Sequence, residues 1–264
     1  MLRSMTKGVS IKLTSYEETI PKLFKLIKFD QELKRHEAIV LKPCVHEDVA
    51  HGTPLSFVEE VVKFCAAHKN PGAEVYIAEG ADGADTSLLF EEQGYRALAE
   101  KYNVSLIDLN NTESESVGKN EFVGFEQIMY PSILTHAFVV SLPVVKTRED
   151  VQLQGALTSM LGAFPARHYK GFFSQRKNKL DAYPVKYQVH DINLCKMPNF
   201  ALLELRDKGI LLAGHPLEMD KQAAKLLGMD WRSIGYLRML DETLESIAER
   251  QELAEQHEAK AGHR

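Results

Sequence analysis

A chain of 264 residues, 44% hydrophobic and 26% charged, has an ordinary globular composition, which excludes disordered and fibrous classes and suffices for one large domain with an appendage. A formal net charge of -5 argues against a nucleic-acid binder working through overall positive potential, so only a local basic patch stays open. Three cysteines, Cys44, Cys65 and Cys195, show no CxxC spacing and no even count, which speaks against a disulfide framework and against an intrinsic iron-sulfur or zinc cluster.

The opening "MLRSMTKGVSIKL" lacks the apolar core of a signal peptide, and no later run approaches the roughly 20 apolar residues of a membrane span. A soluble, cytoplasmic protein with no membrane partner is expected. Residues 15–33 begin with Ser15 and Glu18 at capping-box spacing and repeat Leu23, Leu26, Ile27 and Leu33 at helical period, predicting a first helix. "EAIVLKP" reads as a strand ended by Pro43. "TPLSFVEEVVKFCAAHK" follows as a helix with Thr53 at the N-cap, and its stripe of Phe57, Val58, Val61 and Val62 makes Cys65 a core residue. Further strands are "AEVYIAE", "VSLIDLN", "HAFVVSLPVV" and "GILLAG", with a helix from about Ser87 to Lys101 between the first two. Beyond Pro216 come a helix closed by Gly228, a second begun by Asp230 and a highly charged final helix.

Short apolar runs alternating with amphipathic helices predict an α/β fold, a mostly parallel, doubly wound sheet with helices on both faces. The stretch between the fourth and fifth strands is too long for a plain crossover, so a helical insertion is expected at about 150–200. Residues 1–240 then form a single α/β domain, and 241–264 form a charged C-terminal helix or tail.

In such sheets ligands bind beyond the carboxyl ends of the strands. That rule gathers Lys42 with the loop "CVHEDVAHGT", Glu79 with "GADGAD", and Lys146 with Arg148. Gly80 and Gly83 permit positive φ, and the helix start at Thr86 and Ser87 offers N–H groups to an anion. A tight turn with acidic caps accounts for the same residues, and Asp82 and Asp85 would repel a phosphate unless a cation held by Cys44, Glu79 or Asp82 intervened. His46 and His51 are candidates for proton transfer because imidazole titrates near neutrality, and Lys146 and Arg148 suit carboxylate or phosphate oxygens. The basic, aromatic stretch "ARHYKGFFSQRKNK" could stack bases, cover the site as a lid, or be a solvated face.

Taken in order, "VLKPCVHEDVAHGTP", "VYIAEGADGADTSLLFEEQGY", "VSLIDLN", "VVSLPVVKT", "GALTSMLGAFP" and "ILLAGHPLEMDKQAAKLLGMDWRSIGYL" resemble the family catalogued as domain of unknown function 362, over roughly residues 20–240. The resemblance implies an α/β protein with a redox or cofactor-linked role, because members are often joined to a ferredoxin-type cluster domain. Three departures stand out. Cys44 replaces the asparagine usual after Lys42 and Pro43, Arg148 replaces the histidine usual after Lys146 and Thr147, and Thr158–Gly162 lacks a lysine the family keeps. The glycine-rich segment before the fifth strand is shortened to "FALLELRDKG". With no cluster-binding cysteines, electron transfer would need a protein redox partner or a bound flavin, deazaflavin or divalent metal. Two readings follow: an oxidoreductase acting on a small anionic ligand at the strand ends, with catalytic His46, His51 and Lys146, or a noncatalytic metabolite- or metal-binding subunit.

Overall fold

The computed structural model describes residues 8–261. Strand β1 (Val9–Lys12) leads through α1 (Tyr16–Leu26) and α2 (Phe29–Leu33) to β2 (Ala38–Pro43), α3 (Leu55–His68) and β3 (Glu74–Glu79). Then come α4 (Thr86–Glu92), α5 (Tyr95–Tyr102), β4 (Ser105–Asp108), the hairpin of β5 (Ser114–Val117) and β6 (Ile128–Pro131), α6 (Ser132–His136) and β7 (Phe138–Leu142). A small hairpin of β8 (Lys146–Arg148) and β9 (Gln152–Gln154), a 3-10 turn at Thr158–Ala163, α7 (Ala166–Tyr169) and α8 (Val185–Cys195) form the expected insertion. Strands β10 (Phe200–Leu205) and β11 (Ile210–Gly214), then α9 (Pro216–Leu226) and α10 (Gly235–Ala261), follow it.

The main sheet has seven strands in the order β1-β11-β10-β7-β2-β3-β4. The run from β10 to β4 is parallel, and β11 pairs antiparallel with both β10 and β1. Aromatic side chains Phe24, Phe29, Phe57 and Phe64 fill one face beneath α1, α2 and α3. Ile192, Leu217, Leu237 and Leu240 cover the other from α8, α9 and α10. Buried on both sides, β2, β7 and β10 are apolar but for one polar side chain each, Lys42, Ser141 and Glu204, in keeping with a covered parallel sheet. The expected α/β architecture is therefore the observed one. From β2 the chain steps outward to β3 and β4, and β7 then returns to the opposite side of β2. Strand order thus reverses between β2 and β7, opening a crevice at their carboxyl ends.

Several elements differ from the sequence reading. The six residues of "FALLEL" form β10 and are all buried; without alternation, and with Glu204 among them, the run does not advertise a strand. The helix expected over 15–33 is two helices divided at Lys28, whose φ of 57° is left-handed. That expected over 87–101 is likewise divided at Gly94, with φ 83°. Thr53 does not cap α3, because its hydroxyl donates to the Leu142 carbonyl at 2.6 Å and accepts the Cys44 N–H at 2.9 Å. Asp230 caps only a 3-10 turn at Trp231–Ser233, after which α10 runs unbroken through the position where a separate tail was expected to begin.

Candidate functional site

A cavity of about 340 Å³ occupies this crevice. The bonds of Thr53 join the two ends of the β2–α3 loop to the end of β7, and they hold the loop's polar side chains over the opening. His46, His51 and Cys44 reach the cavity from this loop, Glu79, Gly80 and Asp82 from the end of β3, Arg148 from β8, and Gly162, Arg176 and Lys177 from the insertion.

Beneath it lies a buried ion pair. Lys42, fully buried, points its Nζ between the two Glu79 oxygens at 2.9 and 3.0 Å. Glu79 Oε1 also accepts the Gly80 N–H at 2.7 Å. Gly162 presses on the pair from above so closely that a Cβ there would stand 2.0 Å from Glu79 Oε1, and a Cβ on Gly80 would stand 2.4 Å from the Gly162 carbonyl. Close approach of two main chains, rather than positive φ, is what requires glycine at 80 and 162. Lys177 then locks the contact, its Nζ donating to the Gly80 carbonyl at 2.7 Å and the Gly162 carbonyl at 3.3 Å while its N–H donates to Asp82 at 2.6 Å. Burial lowers the Lys177 amine to about 8, with the Glu79 carboxylate opposing that fall.

Two histidines stand at the rim, 5.6 Å apart between ring centroids, and Asp48 orients both. Its N–H donates to His46 Nδ1 at 3.1 Å, which leaves the neutral His46 ring with its proton on Nε2. Its carboxylate takes His51 Nδ1 at 2.8 Å. The Ala50 N–H chiefly, helped by His51, holds the Asp48 carboxyl below its ordinary value against the opposing effect of desolvation. Arg148 forks onto Asp150 at 3.0 and 2.7 Å, and Arg176 stands 3.8 Å from Asp82.

The structure thus brings His46, His51, Cys44, Glu79, Gly80, Asp82 and Arg148 to one cavity and leaves five expected residues outside its wall. Lys42 is sealed under Glu79 and supports the floor. Lys146 donates to the Ala50 carbonyl at 3.0 Å, bracing the histidine loop; burial and then the like charge of Arg206 lower its amine. Gly83 faces the Arg176 side chain. Thr86 is buried, its hydroxyl accepting the Ala81 N–H at 3.0 Å. The N–H of Ser87, expected to be free for an anion, donates instead to the Asp85 carboxylate at 2.9 Å, because the acidic cap occupies the donors of that helix start. The carboxylates of the expected metal set, Cys44, Glu79 and Asp82, have other partners. Among the described residues no three His, Cys, Asp or Glu side chains are grouped to hold a metal, since Lys42 and the Gly80 N–H engage Glu79 and the Lys177 N–H engages Asp82. Burial, followed by the Glu79 carboxylate, pushes the Cys44 thiol up to about 11.

Arg176 and Lys177 fall in the stretch read as a possible lid and Gly162 in the family motif, but none of the three is assigned to the site by sequence alone. Lys177 sits in a run of similar basic residues, and only burial separates it from Lys170 and Lys179.

The model of one family, described as domain of unknown function (DUF362), matches residues 39–252. No curated protein matches the chain significantly. Among solved structures it is similar to the lactate racemase apoprotein from Thermoanaerobacterium thermosaccharolyticum, with a TM-score of 0.59 and 13% identity over 86% of this chain and 58% of that one. It is similar also to a protein from Thermotoga maritima, with a TM-score of 0.47 and 11% identity over 83% of this chain and 60% of that one. The chain spans about three fifths of the length of these two structures.

Proposed function

The chain belongs to the domain of unknown function 362 (DUF362) family, and from that premise we propose that it binds a small anionic organic molecule in the strand-end cavity and moves a proton on it. The observation that carries this reading is the convergence of Arg148 and Arg176 with the Asp48-oriented His46 and His51 on one cavity of about 340 Å³. Guanidinium groups suit carboxylate or phosphate oxygens. An imidazole whose tautomer is set by a neighbour suits general acid or base work near neutral pH. The Lys42–Glu79 pair and Lys177 make the floor rigid, so the ligand meets preformed walls. A 2-hydroxy carboxylate of the size of lactate belongs among the first candidates, given the lactate racemase of similar fold. The oxidoreductase reading rests on the family resemblance alone.

Calorimetric titration with lactate, acetate, inorganic phosphate, nicotinamide, flavin and deazaflavin tests the binding step. A ligand at a hundredfold excess over its dissociation constant stabilises by about 2.7 kcal/mol, so melting curves should report it as well. Arg148→Ala and Arg176→Ala are expected to weaken the titrated anion at least about tenfold with the ligand-free melting point nearly unchanged. Indifference to every ligand would remove the reading. A second reading, a noncatalytic binding subunit, draws on the acid that accompanies each arginine, Asp150 for Arg148 and Asp82 for Arg176. Proton wash-out from the bound ligand in D2O separates the two. Exchange that disappears in His46→Gln or His51→Gln supports catalysis, and binding without exchange supports the subunit.

A further inference from the structure

On the insertion beside the cavity mouth, Phe172 and Phe173 stand 94% and 98% exposed, packed edge to face against each other at 4.8 Å and against little else. Two adjacent, almost fully exposed phenylalanines form an apolar spot whose burial against a partner is favourable. Arg167, Lys170, Arg176 and Lys179 flank them in the chain and are all exposed. Among the described residues, Lys179 Nζ donates to the His168 carbonyl, at 3.1 Å. The segment therefore joins an exposed apolar pair to exposed cations, and an apolar spot accompanied by carboxylates would complement it.

The same chain carries such a surface. Helix α10 still packs on the core through Leu244, but every residue from Ala248 to Gln256 is exposed. A helix with no packed face gains little from tertiary structure, and an isolated one of this length is marginal in water. Glu245, Glu249, Glu252 and Leu253 follow at helical spacing and share one side. Leu253 is 56% exposed, and Arg250 is drawn off to Glu121 at 2.7 Å. The acidic side thus keeps its negative charge around one leucine.

We propose that the protein self-associates through these two surfaces, the acidic end of α10 of one copy seating Leu253 on the Phe172–Phe173 pair of another, with Glu245, Glu249 and Glu252 facing Lys170, Arg176 and Lys179. A twofold arrangement makes the contact twice and closes the assembly as a dimer. Arg176, Lys177 and Leu180 line the cavity, so each docked helix borders the other copy's ligand site. An anionic membrane is the competing occupant, but the chain's net charge of -5 opposes approach to it, whereas the acidic helix is a ready complement.

Sedimentation velocity on the full chain tests the proposal. Wild type is expected to be dimeric at low ionic strength and to dissociate in about 1 M salt, where the Debye length falls to about 3 Å. Phe172→Ser/Phe173→Ser and Glu249→Lys/Glu252→Lys should each raise the dissociation constant at least about tenfold while leaving far-ultraviolet circular dichroism and melting unchanged. Mixing Glu249→Lys/Glu252→Lys with Lys170→Glu/Lys179→Glu should restore association, which a fault in folding could not do. A wild type that stays monomeric at every concentration overturns the proposal. So does a dimer unmoved by these variants, or phenylalanine-dependent binding to phosphatidylserine vesicles without self-association.

Discussion

Lys42 and Lys177 are alike in the sequence, yet the fold uses them differently. Lys42 is at the end of an apolar strand, and the strand-end rule brought it into view, but its role beneath the cavity depends on Glu79, 37 positions away. Removing one partner of a buried ion pair strands the other charge, so Lys42→Met or Glu79→Leu is expected to destabilise by about 3–5 kcal/mol. The double variant Lys42→Met/Glu79→Leu should lose less than the sum, as chemical denaturation would reveal through the pair's coupling energy. A sum that is simply additive would mean that the contact contributes nothing. Lys177 was hidden because periodicity cannot distinguish a buried lysine from its solvated neighbours. Its burial is a consequence of Gly80 and Gly162 drawing two main chains together, a long-range fact.

At the scale of elements, the strands β2, β3, β4, β7 and β11 were readable because an apolar run between turn signals survives in one dimension. Strand β10 was missed since a buried acid, Glu204, interrupts its apolar character. The histidine loop is more instructive. Its residue types suggested chemistry, but its shape comes from Thr53, read as a helix cap and found bridging Cys44 and Leu142. Thr53→Val removes both bonds and keeps the volume. It should destabilise by about 1–3 kcal/mol and weaken anion binding more than Thr53→Ser, which restores the hydroxyl. Comparing melting temperatures and titrations for the two variants checks this, and equal ligand affinity in both would show that the loop does not depend on the threonine.

For the molecule as a whole, the α/β class and the sheet-end location of the candidate site were legible from alternation alone, whereas which groups face the opening was not. The reason is physical. Topology follows from local periodicity, but facing depends on packing between segments far apart in the chain. Global stability should also carry the mark of one buried acid. Asp220 accepts the Ala156 and Leu157 N–H groups at 2.7 and 3.0 Å, and burial, only partly offset by those bonds, raises its carboxyl to about 7. The native state therefore holds a proton that the unfolded chain releases near its ordinary value of 3.8. The resulting stabilisation is full below that value and is lost as pH rises through about 7, by up to about 1.4 kcal/mol per pH unit. Asp220→Asn should flatten that part of the profile, measured as urea midpoints across the range. An unchanged slope would assign the titration elsewhere.

The sealed pair under Gly162 has a bearing on how such a protein could change its taste. Because Lys42 already neutralises Glu79 from within, that pair imposes no net sign on whatever sits above it. Selectivity is then written at the edge, by Arg148, Arg176 and their acidic companions, where substitutions leave the core intact. New ligand preferences can arise there by single exposed changes, while the scaffold that aligns them stays as it is.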